Sequence, residues 1–172
     1  MNPNLVILVD SSDKVLGEME KLEAHRKGIL HRAISVLIFN SKGEWLLQQR
    51  ASNKYHSPML WSNTACTHPM NGEATITAAH RRLKEEMGME SSSLEKAFSF
   101  QYRAELDKGM IEHELDHVFI GNTDNSPEIN LKEVESYKYI STDDLQIEID
   151  TSPDEFTEWF KILFDRVKLE PN

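Results

Sequence analysis

Cysteine is nearly absent from this sequence, which contains a single one, Cys66, in 172 residues. One thiol cannot form an internal disulfide bond, so a secreted disulfide-linked scaffold is excluded and a reducing compartment is favoured. Long apolar runs are also missing, since no stretch approaches the roughly 18 residues that a membrane helix needs. The apolar run Leu5–Val9 is short and has an acidic flank with no basic segment before it, which argues against a signal peptide. We therefore expect a cytoplasmic protein that does not bind membranes.

Basic residues are in the minority, with 19 Lys and Arg against 29 Asp and Glu and a formal net charge of −10. An acidic protein is a poor ligand for nucleic acid, and net charge taken alone also argues against an anionic substrate. The composition, 39% hydrophobic and 28% charged, excludes a disordered tail. Because repeats and linkers are absent from the sequence, its length predicts one domain over residues 1–172.

The pattern of apolar residues predicts two main helices among several strands. Thr75–Met87 carries one apolar stripe typical of a helix, Ser141 is expected to cap a brief helix, and Pro153 to open a C-terminal helix. Turn or loop is predicted for residues 11–17 and 51–72. Helices packed against mixed strands indicate an α/β or α+β sandwich. The predicted strands are Leu5–Val9, Ala33–Phe39, Trp45–Arg50, Ala97–Glu105, Ile111–Ile120 and Tyr137–Ile140.

Two pairs of glutamates stand where metal ligands could lie. The helix predicted over Thr75–Met87 ends in Glu85 and Glu86, where the helix dipole disfavours negative charge by about 0.3–1 kcal/mol each. Glu112 and Glu114 alternate along a predicted strand and therefore share one face. Each pair has an ordinary interpretation as solvated charge and a second one as metal ligands.

Histidines and the cysteine form the other group of candidates. Cys66 precedes His68 by two residues, which alone is a weak motif because a lone cysteine is usually a small buried hydrophobe. His25 and His31 precede a predicted strand, and all three histidines are expected at strand or loop positions. Histidines and glutamates together indicate a divalent-metal site. Basic residues on the same segments would form an anion clamp beside it: Lys21, Arg50, Lys54, Arg81 and Arg82.

Several motifs resemble those of a known family. Glu73 and the run Arg81–Met89 resemble the Nudix box, a loop–helix–loop that binds metal and diphosphate. Thr67 stands where the box has its first glycine, and Arg82 where a glutamate usually follows the arginine. Trp61–Pro69 is similar to the W-[ST]-N-x-x-C-x-H-P signature of the type I isopentenyl-diphosphate Δ-isomerases, a branch of the Nudix superfamily. Further segments similar to that branch are Leu22–His25, Leu30–His31, Phe100–Ala104, Glu112–Glu114 and Trp159.

The resemblance implies a Nudix-like fold, with mixed β-sheets between helices in a single compact domain whose core covers about residues 30–165. It implies a metal-dependent interconversion of isopentenyl and dimethylallyl diphosphate through a tertiary carbocation, in isoprenoid biosynthesis. Cys66 and Glu114 would be the acid/base pair, with Tyr102 relaying the proton of Glu114 and Trp159 facing the cation. The diphosphate would be bound by Lys21, Arg50, Lys54 and Arg82.

The resemblance also implies two divalent ions. Glu86 would help bind Mg²⁺, which bridges to the diphosphate. The second ion would have as ligands His25, His31, His68, Glu112 and Glu114, a set that suits Mn²⁺, Zn²⁺ or Mg²⁺. The identity of that ion stays open, as does which of Cys66 and Glu114 donates its proton first. A monomer is plausible at this size. His113 and His117 are interpreted as surface or packing histidines.

Two other classes of function compete with isomerisation. A Nudix hydrolase of a nucleoside diphosphate-type compound would use Glu85 and Glu86, but it leaves Cys66 and the Trp61–Pro69 signature unexplained. A non-catalytic metal- or phosphate-binding module would merely bury Cys66. Arg82 removes an acidic residue that hydrolytic relatives use and adds a ligand for phosphate. The basic residues are grouped along the segments expected to form the site. The negative net charge therefore no longer argues against a diphosphate substrate.

Overall fold

A mixed sheet of nine strands with four helices forms the fold in the computed structural model, which describes residues 2–171. The strands are β1 (Leu5–Val9), β2 (Val15–Glu20), β3 (His31–Phe39), β4 (Trp45–Arg50), β5 (Trp61–Ser62), β6 (Ala65–Thr67), β7 (Glu95–Glu105), β8 (Ile111–Asn122) and β9 (Val134–Ile140). The helices are α1 (Lys21–Lys27), α2 (Thr75–Met87), α3 (Thr142–Thr151) and α4 (Glu158–Leu169). None of the helices within residues 2–171 has the length and apolar character needed to cross a membrane.

Strand β3 occupies the centre of the sheet. It pairs in parallel with β8 along its whole length, and its other edge pairs with β1, β4 and β6. This register sets His31 beside Glu114 and Ser35 beside Cys66. Strands β6 and β8, which are distant in the sequence, therefore place Cys66 and Glu114 beside the same central strand.

The sheet lies between helices, so the predicted sandwich and α+β class are confirmed. Side chains alternate along a strand, so Ile34 and Val36 of β3 pack with α2, whereas Leu37 packs with α3 and α4. Helix α2 has the predicted bounds and ends at Gly88, whose φ is 64°. A Cβ at Gly88 would lie 2.5 Å from a backbone oxygen of Glu128, so glycine is required there by conformation and by space.

Two elements in the N-terminal region were not predicted. Strand β2 covers part of the predicted turn 11–17, and α1 contains His25, so the expectation that His25 lies in a strand or loop was wrong. Helix α1 has only seven residues, too few to show a 3.6-residue period. The helix depends on its caps, because the Glu20 carboxylate accepts from the Glu23 amide and Gly28 ends it with φ 65°.

The C-terminal helix begins later than predicted. Pro153 opens a short 3-10 turn, Pro153–Glu155, and α4 starts at Glu158. Its cap is Thr157, whose hydroxyl accepts from the Phe160 amide at 3.3 Å. The loop predicted over residues 51–72 also contains the short strands β5 and β6, which place Cys66 against β3.

Candidate active site

A pocket beside β3 brings together most of the residues singled out from the sequence. Its space is about 730 Å³, including the solvent at its open mouth. His31 and Tyr102 lie just behind its wall, where both contact Glu114. The predicted residues that line it are Lys21, His25, Arg50, Lys54, Cys66, His68, Arg82, Glu86, Glu112, Glu114 and Trp159.

Three imidazoles surround one carboxylate at the inner end of the pocket. One ligand atom from each of His25, His31, His68 and Glu114 lies within 4.8 Å of the others. The Nδ1 atoms of His25 and His31 lie 2.7 and 2.8 Å from the backbone carbonyls of Lys21 and Ile29. A carbonyl only accepts, so both Nδ1 atoms carry the proton and both Nε2 atoms present a lone pair.

The cluster has the properties of a divalent-metal site. Burial lowers the pKa of His25, and it lowers the pKa of His68 to about 4, so both rings are neutral near pH 7, as metal ligation requires. His31 Nε2 is buried, has no hydrogen-bond partner among the described residues and lies 3.4 Å from Glu114 Oε1. An orphaned lone pair facing a carboxylate fits a cation between the two groups.

Glu112 and Glu114 share the hydroxyl group of Tyr102, which lies 2.8 Å from Glu112 Oε1 and 2.7 Å from Glu114 Oε2. Burial and the charge of Glu114 raise the pKa of Glu112 well above its usual range. Burial opposes ionisation of Glu114 as well, but the contacts of its carboxylate with the imidazoles of His31 and His68 outweigh it and lower its pKa. The Tyr102 hydroxyl has one proton to give, so it can donate to either carboxylate oxygen but not to both at once. Glu112 lies beside the four-residue cluster rather than within it.

Cys66 lies on β6, at the edge of β3 opposite to β8, which carries Glu114. Its Sγ accepts a hydrogen bond from Asn63 Nδ2 at 3.1 Å and lies 3.7 Å from Ser35 Oγ. Burial, and next the charge of Asp116, raise the pKa of the Cys66 thiol. The thiol therefore keeps its proton near neutral pH, which is the form that a proton donor needs.

Basic side chains converge at the outer part of the pocket. The pKa of Lys21 is lowered by burial and by the positive charges of Arg82 and Lys54, so three cations lie close enough to repel one another. Arg50 lies with its guanidinium 5.0 Å from the ring centre of Trp159. Clustered cations of this kind favour a multiply charged anion.

Glu86 lies beside these cations, in the last turn of α2. It is buried, and it contacts Arg82 in the predicted i, i+4 pair and accepts from the Gln48 amide. Burial raises its pKa. Glu85, by contrast, is exposed and pairs with Arg81 and Arg82, so only one of the two helix glutamates is directed into the pocket.

Two buried titratable residues of the site were not identified from the sequence. The ring of His56 lies edge-on to Trp159 at 5.6 Å, and burial with the nearby charge of Arg50 lowers its pKa to about 3. Asp116 accepts from Ser35 Oγ at 2.7 Å, and burial raises its pKa to about 8. Asp116 follows Glu114 on the same face of β8, so the alternation was a usable signal.

The other histidines of β8 face away from the site. His113 Nδ1 lies 3.0 Å from the carbonyl of Gly28, and His117 pairs with Asp13 at 3.0 Å. These contacts join β8 to the end of α1 and to the turn before β2. The interpretation of His113 and His117 as packing residues agrees with these contacts.

Comparisons with known proteins agree with the geometry. The NUDIX domain family matches residues 29–160. A Pectobacterium atrosepticum protein named isopentenyl-diphosphate Delta-isomerase is 56% identical over 162 residues, which cover 94% of this chain and 90% of that protein. A Photorhabdus laumondii relative, named isopentenyl-diphosphate Delta-isomerase 2, is 50% identical over 91% of this chain and 88% of its own.

Solved structures support the same fold. A crystal structure from Deinococcus radiodurans superposes with a TM-score of 0.80 at 19% identity, covering 94% of this chain and 98% of its own. A MutT protein from Methanosarcina mazei gives a TM-score of 0.65 at 20% identity, with 81% and 93% covered. These identities are low, so the likeness concerns the fold alone. With the family match and the 56% identical relative, the chain belongs to the Nudix family and, within it, to the isopentenyl-diphosphate Delta-isomerases.

Proposed function

We propose that the protein interconverts isopentenyl diphosphate and dimethylallyl diphosphate by moving a carbon–carbon double bond. The observation that carries the proposal is the position of Cys66 and Glu114 on strands at opposite edges of β3, lining one pocket. A shift of a double bond adds a proton at one carbon and removes one from another, so it needs two proton-exchanging groups. The relatives' names give the same reaction.

Cys66 and Glu114 act as the acid/base pair in this proposal. The protonated thiol of Cys66 can donate to the alkene, while ionised Glu114 can accept a proton from the carbocation. The chain of hydrogen bonds from Glu112 through Tyr102 to Glu114 offers a route by which Glu114 regains or loses its proton. Because the reaction is reversible, each group serves in both directions.

The tertiary carbocation between the two proton transfers needs a dry, electron-rich surrounding. Trp159 is 3% exposed and lines the pocket, so its ring can face the cation without competing water. A desolvated cation over an indole face is stabilised by about 2 kcal/mol or more. Exclusion of water also prevents the cation from being captured as an alcohol.

Binding of the diphosphate falls to Lys21, Arg50, Lys54 and Arg82. When bound by His25, His31, His68 and Glu114, with Glu112 beside them as the fifth predicted ligand, an ion such as Mn²⁺, Zn²⁺ or Mg²⁺ would supply positive charge that orients Glu114 and sets its acidity. Glu86 would help hold a second ion, Mg²⁺, against the diphosphate. We further expect a cytoplasmic monomer without nucleic-acid partners. The single thiol of Cys66 favours a reducing compartment, and the net charge of −10 disfavours nucleic acid.

Incubation with isopentenyl diphosphate in heavy water tests the proposal. We expect deuterium in the methyl groups of dimethylallyl diphosphate and no release of phosphate from a panel of diphosphates. Phosphate release without deuterium incorporation would instead indicate a Nudix hydrolase. If the substrate were bound but neither deuterated nor cleaved, the protein would be a binding module.

A further inference from the structure

Glu133 contacts two of the pocket cations, although no motif of the sequence marks it. Its Oε2 accepts from Lys54 Nζ and, at 2.9 Å, from Arg82 Nη2. These partners are 79 and 51 residues away in the chain. One carboxylate oxygen therefore joins a loop lysine to an arginine of α2.

The backbone around Glu133 fixes its position. Its amide donates to the Asn130 carbonyl at 2.8 Å, and its carbonyl accepts from the Ala51 amide at 3.1 Å. The next residue, Val134, begins β9 opposite Arg50 of β4. Glu133 is therefore attached to the same strand end that carries Arg50 and leads to Lys54.

Glu133 lies behind the two cations with respect to the pocket. Lys54 and Arg82 line the pocket, whereas Glu133 contacts them without lining it. Arg82 also forms an ion pair with Glu86 through Nε, and its Nη1 donates to Glu85. An ammonium group has three donors and each terminal guanidinium nitrogen has two, so both cations keep donors for a ligand in the pocket.

Without Glu133, the cations would lose the anion that holds them together. Lys21, Lys54 and Arg82 are close enough for their charges to affect one another, and flexible cationic side chains that repel turn towards water. Rebuilding the arrangement on binding would then reduce affinity, because each side chain that becomes ordered loses conformational entropy.

We infer that Glu133 is a positioning residue for the diphosphate, holding Lys54 and Arg82 in a preformed anion site. The inference rests on the proposed function for the identity of the anion. Glu133 contacts neither the acid/base pair, Cys66 and Glu114, nor Trp159. It therefore acts on substrate binding rather than on proton transfer. Its removal should change KM and leave kcat nearly unchanged.

The test compares the metal-loaded wild-type enzyme with Glu133→Ala and Glu133→Gln. Calorimetric binding of inorganic pyrophosphate with Mg²⁺ reports the anion site, and steady-state kinetics report turnover. For Glu133→Ala we expect Kd and KM to rise about tenfold, equivalent to about 1.4 kcal/mol, with kcat within about twofold. Glu133→Gln keeps an oxygen acceptor, so its Kd and KM should lie between those of the wild type and those of Glu133→Ala. The matched control is Glu148→Ala, which breaks the ion pair between Glu148 of α3 and Lys138 of β9 and should change neither constant.

A combined variant separates positioning from a general charge effect. If Glu133 acts through Lys54, adding Glu133→Ala to Lys54→Met should weaken binding less than it does in the wild type. Unchanged or tighter pyrophosphate binding by Glu133→Ala would overturn the inference, as would a lower kcat at constant KM. Wild-type enzyme that binds pyrophosphate but incorporates no deuterium would instead overturn the proposed function.

Discussion

His56 is expected to make the metal-free protein lose stability as the pH falls. Burial and the charge of Arg50 lower its pKa from 6.5 to about 3. Below pH 6.5 the unfolded chain takes up a proton at this ring, whereas the folded protein does not until about pH 3. The favourable contribution is thus complete above pH 6.5 and is lost progressively as the pH falls towards 3.

The size of the effect follows from the width of this window. One pH unit in which only the unfolded state is protonated costs about 1.4 kcal/mol. Between pH 7 and pH 4.5 the two states differ over about two units, so His56 removes on the order of 3 kcal/mol of unfolding free energy. His56→Gln lacks the titrating ring. It should be less stable at pH 7, because the contacts with Trp159 and Tyr55 are lost, but it should lose less stability on acidification.

Urea unfolding of chelator-treated protein at pH 7 and pH 4.5 measures the difference. We compare how much unfolding free energy each protein loses between the two pH values. Groups that titrate in both proteins contribute equally to this loss, so their contributions cancel in the comparison. His80→Gln, at an exposed position of α2, serves as the control for the replacement of a histidine by glutamine. If His56→Gln lost as much as the wild type, His56 would be protonated in the folded state and the reasoning would be refuted.

The remaining predictions concern the site and the core. Cys66→Ala and Glu114→Gln should each abolish deuterium incorporation with an unchanged circular dichroism spectrum, and near-wild-type turnover of either would contradict the acid/base assignment. Strong chelators should inactivate the enzyme, with Mg²⁺ plus Mn²⁺ or Zn²⁺ restoring activity. Full activity of protein shown to be metal-free by elemental analysis would exclude the five-ligand site of His25, His31, His68, Glu112 and Glu114. Leu83→Ala, at a fully buried position of α2, should lower the unfolding free energy by about 2–5 kcal/mol in urea, and a smaller loss would mean that the core collapses around the gap.

Elements with a clear period were predictable, and elements formed by local contacts were not. The stripe of α2 and the apolar run of β3 gave the type of element correctly, because each buries a face against the core. Strand β2 is mostly exposed at the edge of the sheet, and α1 is short, so neither carries a hydrophobic pattern. Pro153 was misread because a proline suits the first turn of a 3-10 segment as well as that of a helix.

At the candidate site, the residues could be predicted from the sequence, but their environments could not. Motif resemblance selected residues that line one pocket, and the register of β3 with β6 and β8 explains why they meet. What sequence could not supply is the environment that sets each pKa. Glu112 and Glu114 are chemically identical, yet burial and the charge of Glu114 raise the pKa of Glu112, whereas two imidazoles outweigh burial and lower the pKa of Glu114. His56 carries no motif, and only its burial against Trp159 makes it unusual.

The net charge of −10 and an anionic substrate are compatible because the two act over different distances. Charges on the surface are screened beyond about 8 Å at physiological ionic strength, so the acidic surplus mainly slows the approach of an anion. Within the pocket, Lys21, Lys54 and Arg82 lie close together in partly desolvated surroundings, where attraction is stronger than in water. Glu133 from behind the cations and Glu86 from within the pocket neutralise part of that charge, and Lys54 and Arg82 keep donors for the ligand. Affinity for a diphosphate is therefore set by the few cations that face the pocket and by the carboxylates that hold them.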